Sequence, residues 1–115
     1  MRNSNSRGKT LKKKLNKCKK VFYAYSELQY EYGTHLDMDD DLVEIRCNVK
    51  RPGCSVGDEY TSDFVCVKKN GEIMVRECVE RSKFLRPSTC KLLDASRNYW
   101  LSKGIIDWSV VISGK

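Results

Sequence analysis

At 115 residues and 13.3 kDa the chain suits one domain and leaves no room for a second. Its 40% hydrophobic and 32% charged residues are those of a folded, water-soluble body, and no run of about 18 apolar residues exists to span a membrane. The net charge of +7 is lopsided: residues 1–20 carry nine Lys or Arg and no acid, whereas the rest carry 13 basic and 15 acidic side chains. A segment so charged attracts polyanions by releasing their counterions, which makes nucleic acid the leading partner class. A solvated, frayed tail accounts for the composition equally well. No apolar stretch follows the basic residues, which argues against a secretory signal and for a cytoplasmic protein.

In chain order, residues 1–8 are polar and read as a loose arm. From Thr10 to Lys20, Leu11, Leu15 and Cys18 recur at spacings of four and three. This predicts a short amphipathic helix whose other faces are almost wholly lysine. Residues 1–20 are therefore expected as a basic arm and helix ahead of one domain over 21–115. Lys12, Lys13, Lys14, Lys17, Lys19 and Lys20 are the candidate nucleic-acid contacts. The β-formers of Val21–Tyr25 fit either a short extended segment or a continuation of that helix.

Ser26-Glu27-Leu28-Gln29 is a capping box, opening a helix through Leu28, Tyr32 and Leu36 that ends before the acidic residues 37–41. Leu42–Val49 alternates, which predicts a strand with Val43, Ile45, Cys47 and Val49 on one face. Residues 50–58, with Pro52, Gly53 and Gly57, read as a loop. Tyr60–Lys68 and Glu72–Val79 are two further strands. Between them Lys69-Asn70-Gly71 suits a three-residue hairpin loop, and a two-residue Asn-Gly loop competes with it. After a loop around Pro87, a helix from about Thr89 to Lys103 buries Leu92, Leu93, Ser96, Tyr99 and Trp100 and stops at Gly104. Trp108–Ile112 is a last apolar strand. The order implies a mixed α/β sandwich around one sheet.

The six cysteines contain no CxxC pair and His35 is the only histidine, so a structural zinc site is not expected. Several read as small core residues on strands, with reduced thiols. The acidic residues 37–41 lack the glycine and terminal glutamate of a calcium loop. Trp100, Tyr99 and Trp108 read as core packing, while Phe22, Tyr23, Tyr25, Tyr30 and Tyr32 exceed what one helix face can bury.

With the three-residue loop, paired residues of the hairpin sum to 140 and Asp63 stands opposite Glu77. Two carboxylates on an otherwise valine-lined face resist desolvation unless a cation or a proton joins them. A divalent ion such as Mg²⁺, which favours oxygen ligands, would resolve the conflict. With the two-residue loop Asp63 faces Cys78 instead, and the pair is lost.

These motifs resemble a family. Tyr99-Trp100, Lys103-Gly104-Ile105 and Asp107-Trp108 followed by Val110-Val111 look like a C-terminal signature of the nuclease domain of TnsA, the transposon-end endonuclease. Thr61-Ser62-Asp63-Phe64 is similar to its metal-aspartate motif, Leu42–Arg46 to one of its strands, and Ser26–Gln29 to the start of its helix. The resemblance implies a restriction-endonuclease-like mixed sheet flanked by helices, with Mg²⁺ or Mn²⁺ held by acids. By the same likeness Asp63 and Glu77 are metal ligands, and Gln29 stands where the family has a glutamate. The family's lysine falls on Val79, which offers neither charge nor hydrogen bonds. Arg81 is the best substitute if the strand runs on that far; Lys91 enters from the next helix and Arg76 points to the opposite face.

The expectation is a TnsA-like DNA-binding protein of a mobile genetic element, with phosphodiester cleavage impaired or lost. One alternative is an active metal-dependent endonuclease in transposition. The other is a non-enzymatic factor that binds a transposase or a host defence complex.

Overall fold

The computed structural model describes residues 10–54 and 60–114, together with the backbone of Arg2 and Asn3. The fold is mixed α/β. In chain order it runs β1 (Arg2–Asn3), β2 (Leu11–Lys13), β3 (Phe22–Ala24), α1 (Glu27–Asp37), β4 (Leu42–Lys50), β5 (Tyr60–Lys68) and β6 (Ile73–Val79). A 3₁₀ turn (Arg81–Lys83), α2 (Pro87–Ser102) and β7 (Asp107–Ile112) complete it. β5 is the hub of a five-stranded sheet: β4 and β6 flank it antiparallel, β7 extends β6 in parallel, and β1 pairs with the start of β5. β2 and β3 form a separate hairpin. No described helix is long and apolar enough to cross a membrane.

Each face of the sheet has its own apolar cluster. Leu36 of α1 joins Leu15, Cys18, Phe22 and Ala24 of the β2–β3 region over Ile45, Phe64, Cys66, Met74 and Cys78. On the other face Trp100 of α2 covers Val65 and Val75, with Val49, Tyr99, Ile105 and Trp108 around it.

Residues 10–20 are not a helix. Helical winding would stack lysines three and four apart, where like charges repel. As a strand and turn the segment still delivers Leu15 and Cys18 to the core. The Asp37 carboxylate accepts hydrogen bonds from the amides of Asn16 (3.0 Å) and Lys17 (2.9 Å), and the Ile45 amide donates to Lys17 O. The adjoining segment resolves as the extended alternative, β3.

In β4 the expected single face breaks at two points. A bulge between Leu42 and Glu44 leaves Val43 55% exposed, and Asn48 takes a left-handed φ of 52°. Beyond it Val49 packs on the α2 side while Ile45 and Cys47 stay on the α1 side. The β5–β6 loop is the three-residue form: Gly71 N donates to Lys68 O, Gly71 has φ 87°, and Val67 pairs with Ile73. α2 starts two residues earlier than expected, with Pro87 in its first turn. It ends in a Schellman pair, Ile105 N to Trp100 O and Gly104 N to Leu101 O, each 3.0 Å. Asp107, just before Trp108, ties three strands together through Lys68 Nζ (2.7 Å) and Arg76 Nη2 (2.9 Å). Those two cations hold its carboxyl below the usual range.

Gly33 is where α1 meets the hairpin and the sheet. A Cβ there would lie 2.5 Å from Phe22 Cε2 and 3.2 Å from Phe64 Cζ. Gly33→Ala gains about 1 kcal/mol of helix propensity, but overpacking of this kind costs about 1–3 kcal/mol. Urea denaturation is therefore expected to show a net loss near 1 kcal/mol, and a net gain would contradict the packing described.

Candidate functional site

The hairpin register carries Asp63 and Glu77 to opposing positions, one step beyond the last backbone-paired residues, Phe64 and Arg76. At that step the strands part. β6 continues along β7 as far as Val79↔Ile112, while β5 takes β1 as its neighbour at Thr61 and Tyr60. The two carboxylates bridge the gap. Asp63 N donates to Glu77 Oε1 (2.9 Å), and Cys78 N donates to Asp63 Oδ2 (2.7 Å). The alternation of β5 also breaks here, because Ser62 reaches α2 while Phe64 and Cys66 lie in the α1-side cluster.

Glu77 is fully buried. Its Oε2 accepts from Ser62 Oγ (2.8 Å) and from Ser96 Oγ of α2. Those serines are fed in turn: Trp100 Nε1 donates to Ser62 Oγ (2.8 Å) and Trp108 Nε1 to Ser96 Oγ (3.0 Å). An indole N–H can only donate, so each serine accepts from a tryptophan and sends its one hydrogen to the carboxylate. Burial pushes the Glu77 carboxyl above the usual carboxylate range and the neighbouring Asp63 adds to this, while hydrogen bonds from Ser96 and the Asp63 amide pull back.

Gln29 is held at the edge of this arrangement. Ser26 Oγ caps its amide (3.1 Å), and its Oε1 accepts from Tyr25 N (2.9 Å), one residue before the cap. Its Nε2 donates to Asn48 Oδ1 (2.9 Å), and Asn48 Nδ2 donates to Tyr23 O (2.7 Å). Asn48 lies between the pairs Cys47↔Phe64 and Val49↔Ser62, hence across β4–β5 from Asp63. Gln29 thus reaches the neighbour of Asp63 through one amide.

The basic candidates stay away from the acids. β6 ends at Val79, which is buried, so Arg81 begins the 3₁₀ turn instead of continuing the strand face. Its amide donates to Ser113 Oγ (2.9 Å) and its Nε to Ser113 O (3.2 Å). Lys91 is exposed on α2, and Arg76 is bound to Asp107. Nor do the acids, as arranged, fit a divalent ion. Three of the roughly four lone-pair directions of Glu77 are taken, and its carboxylate is walled in by two serines and two indoles. Among the described residues no three His, Cys, Asp or Glu side chains converge as a ligand set.

Of the six lysines singled out, Lys13 and Lys17 are turned inward. Lys13 Nζ donates to Thr34 Oγ1 (2.9 Å) over the Tyr30 ring, and Lys17 Nζ donates to Asp39 O. Lys12, Lys14, Lys19 and Lys20 are exposed. Beside them Val21 and Tyr23 are also exposed, Tyr23 by 40%, with Lys12 Nζ 5.6 Å from the Tyr23 ring centre. A groove of about 650 Å³ is edged by Glu27, Glu31, Glu80, Ser82 and Ser113, with Lys83 paired to Glu80 and Arg81 bound to Ser113 at its rim.

Ser62, Asn48 and the two indole donors escaped the sequence reading as partners of the acids. The only signal was a serine, Ser96, on the apolar stripe of α2. All six cysteines are free thiols; burial raises those of Cys47, Cys66 and Cys78, Cys66 to about 12, which leaves them inert. No protein-family model matches the chain, and no curated protein is similar to it in sequence.

A raised pKa on a buried acid fixes the sign of a pH effect. Folding favours protonated Glu77, so its contribution is fully present below the unfolded pKa of about 4.3 and is lost as pH rises through the folded value. The stability of the wild type relative to Glu77→Gln is expected to fall with a slope of up to about 1.4 kcal/mol per pH unit from about pH 4.3 upward, then level off. Urea titrations of both proteins across pH check this, and a difference that rises with pH would refute it.

Proposed function

We propose that this is a DNA-binding protein of a mobile genetic element, built like the TnsA nuclease domain but with phosphodiester cleavage impaired or lost. The exposed face of the β2–β3 hairpin carries the reading. Lys12, Lys14, Lys19 and Lys20 supply phosphate contacts there, and Tyr23 offers a flat ring among them.

The loss of cleavage follows from what surrounds the acids. A working metal nuclease needs open carboxylate lone pairs and a cation or hydrogen-bond donor for the developing charge. Here Glu77 is enclosed by Ser62 and Ser96, the position of the family's lysine is a buried valine, and Arg81 is held by Ser113. Loss of one such group typically lowers the rate about 10²–10³-fold. A second reading, a protein-binding factor acting on a transposase or a host defence complex, draws on Leu85 and Ile106, apolar side chains each 83% exposed.

Replacing Lys12, Lys14, Lys19 and Lys20 together by Ala is expected to weaken DNA binding and to lower the slope of log affinity against log salt by about 3–4, at about 0.9 per phosphate contact. Lys13→Ala with Lys17→Ala should leave that slope nearly unchanged. An unaltered slope in the fourfold variant would sink the DNA-binding face. Supercoiled-plasmid nicking with Mg²⁺ or Mn²⁺ that Asp63→Ala abolishes would replace lost cleavage by an active endonuclease. No retention on DNA at moderate salt, with co-purification of a protein, would select the second reading.

A further inference from the structure

The β2–β3 hairpin has two unlike faces. Its register pairs Leu11 with Ala24, Lys12 with Tyr23 and Lys13 with Phe22. Phe22 and Ala24 are fully buried, as is Leu15 just beyond β2, and Lys13 turns in to Thr34. Strand alternation therefore carries Lys12 and Tyr23 outward together, and Lys14 and Val21 beside them are exposed as well. The outer face thus holds lysines along one strand and an apolar side chain and an aromatic ring along the other, with facing Cβ atoms about 5 Å apart. Lys19 and Lys20, exposed in the connection between the strands, extend the charge. No acid occurs in residues 1–20, so nothing in that stretch of sequence offsets it.

The ring is held in place from behind. Asn48 Nδ2 donates to Tyr23 O (2.7 Å), Tyr25 N donates to Gln29 Oε1 (2.9 Å), and Gln29 Nε2 donates to Asn48 Oδ1 (2.9 Å). The backbone that carries the ring is therefore pinned to α1 and β4, and a platform so supported costs a ligand little ordering. Tyr23 nonetheless remains 40% exposed, with Lys12 Nζ resting 5.6 Å from its ring centre.

Phosphates alone do not use such a face. The lysines attract any polyanion, but Tyr23 and Val21 gain only from something flat and apolar laid against them. In a DNA duplex the bases are stacked on one another, and only their edges reach the grooves. In a single strand the bases turn out, so that the phosphate backbone can follow Lys12 and Lys14 while a base lies on Tyr23. Stacking outweighs the exposed cation–π contact that it displaces, which frees Lys12 for a phosphate. We propose that the outer face of the hairpin binds single-stranded DNA, with a base stacked on Tyr23 and flanking phosphates on Lys12 and Lys14. The site rests on the DNA-binding function proposed above and names the form of DNA it takes.

Fluorescence anisotropy with the full chain compares three labelled DNAs of about 12 nucleotides. They are a single strand, the same strand annealed to its complement, and an abasic strand that keeps the phosphates but has no bases. The wild type is expected to bind the single strand most tightly. Tyr23→Ala should weaken that binding about 5- to 150-fold and bring it level with the abasic strand. Its dependence on salt should stay unchanged, because stacking releases no counterions. Tyr23→Phe keeps the ring and should bind like the wild type. A duplex bound as tightly as the single strand, or a Tyr23→Ala variant that keeps the wild-type affinity, overturns the stacking site while the DNA-binding face stands. Equal wild-type affinity for the normal and abasic strands overturns it too, even where Tyr23→Ala fails to fold. Binding to none of the three would overturn the proposed function, and this site with it.

Discussion

The sheet turns on one carboxylate. Where β5 and β6 stop exchanging backbone hydrogen bonds, Glu77 Oε1 takes the Asp63 amide, and Asp63 returns the favour through Cys78 N. Neither strand's amide is left unpaired at the point of separation, which buried backbone cannot tolerate. The same carboxylate then reaches across to α2 through Ser96 and to the Trp100 indole through Ser62, so the helix is docked by polar contacts as well as by the Val65–Val75–Trp100 cluster. Removing Glu77 would orphan two hydroxyls, an amide and, behind them, the alignment of two indoles. A buried polar network is worth having only when every member is satisfied, and this one is.

That commitment has a functional consequence. Carboxylates converging at a strand separation are what a metal-dependent nuclease requires, and in this fold they accept hydrogen bonds from two strand amides and two serines. The lysines sit on a small hairpin outside the main sheet, anchored by the Asp37 carboxylate and by Phe22 against Gly33 and Phe64.

Local rules written in few residues were readable from the chain. Ser26 and Gln29 mark the start of α1 and Gly104 its counterpart at the end of α2, whereas Lys69-Asn70-Gly71 admits two loop lengths, and only the structure shows the three-residue form that brings Asp63 and Glu77 opposite each other. Period alone misled at residues 10–20, because Leu11, Leu15 and Cys18 satisfy a helical spacing as well as a strand followed by a turn. Nothing in the local pattern shows that Asp37, twenty residues on, caps that turn. Alternation likewise failed at Val43 and Asn48, where a bulge and a left-handed residue swap faces. The partners of Glu77 come from β5 and α2, and those of its serines from α2 and β7; only the folded chain brings four such distant residues to one oxygen pair. Arg51 is fully buried although a basic residue beside Pro52 and Gly53 reads as solvated loop.

A crystal of the protein soaked in Mn²⁺ puts the central claim to its most direct test, because anomalous scattering locates the ion without ambiguity. No manganese peak is expected between Asp63 and Glu77, with Glu77 still accepting from Ser62 and Ser96. A peak bridging the two carboxylates, with the serines turned away, would contradict it.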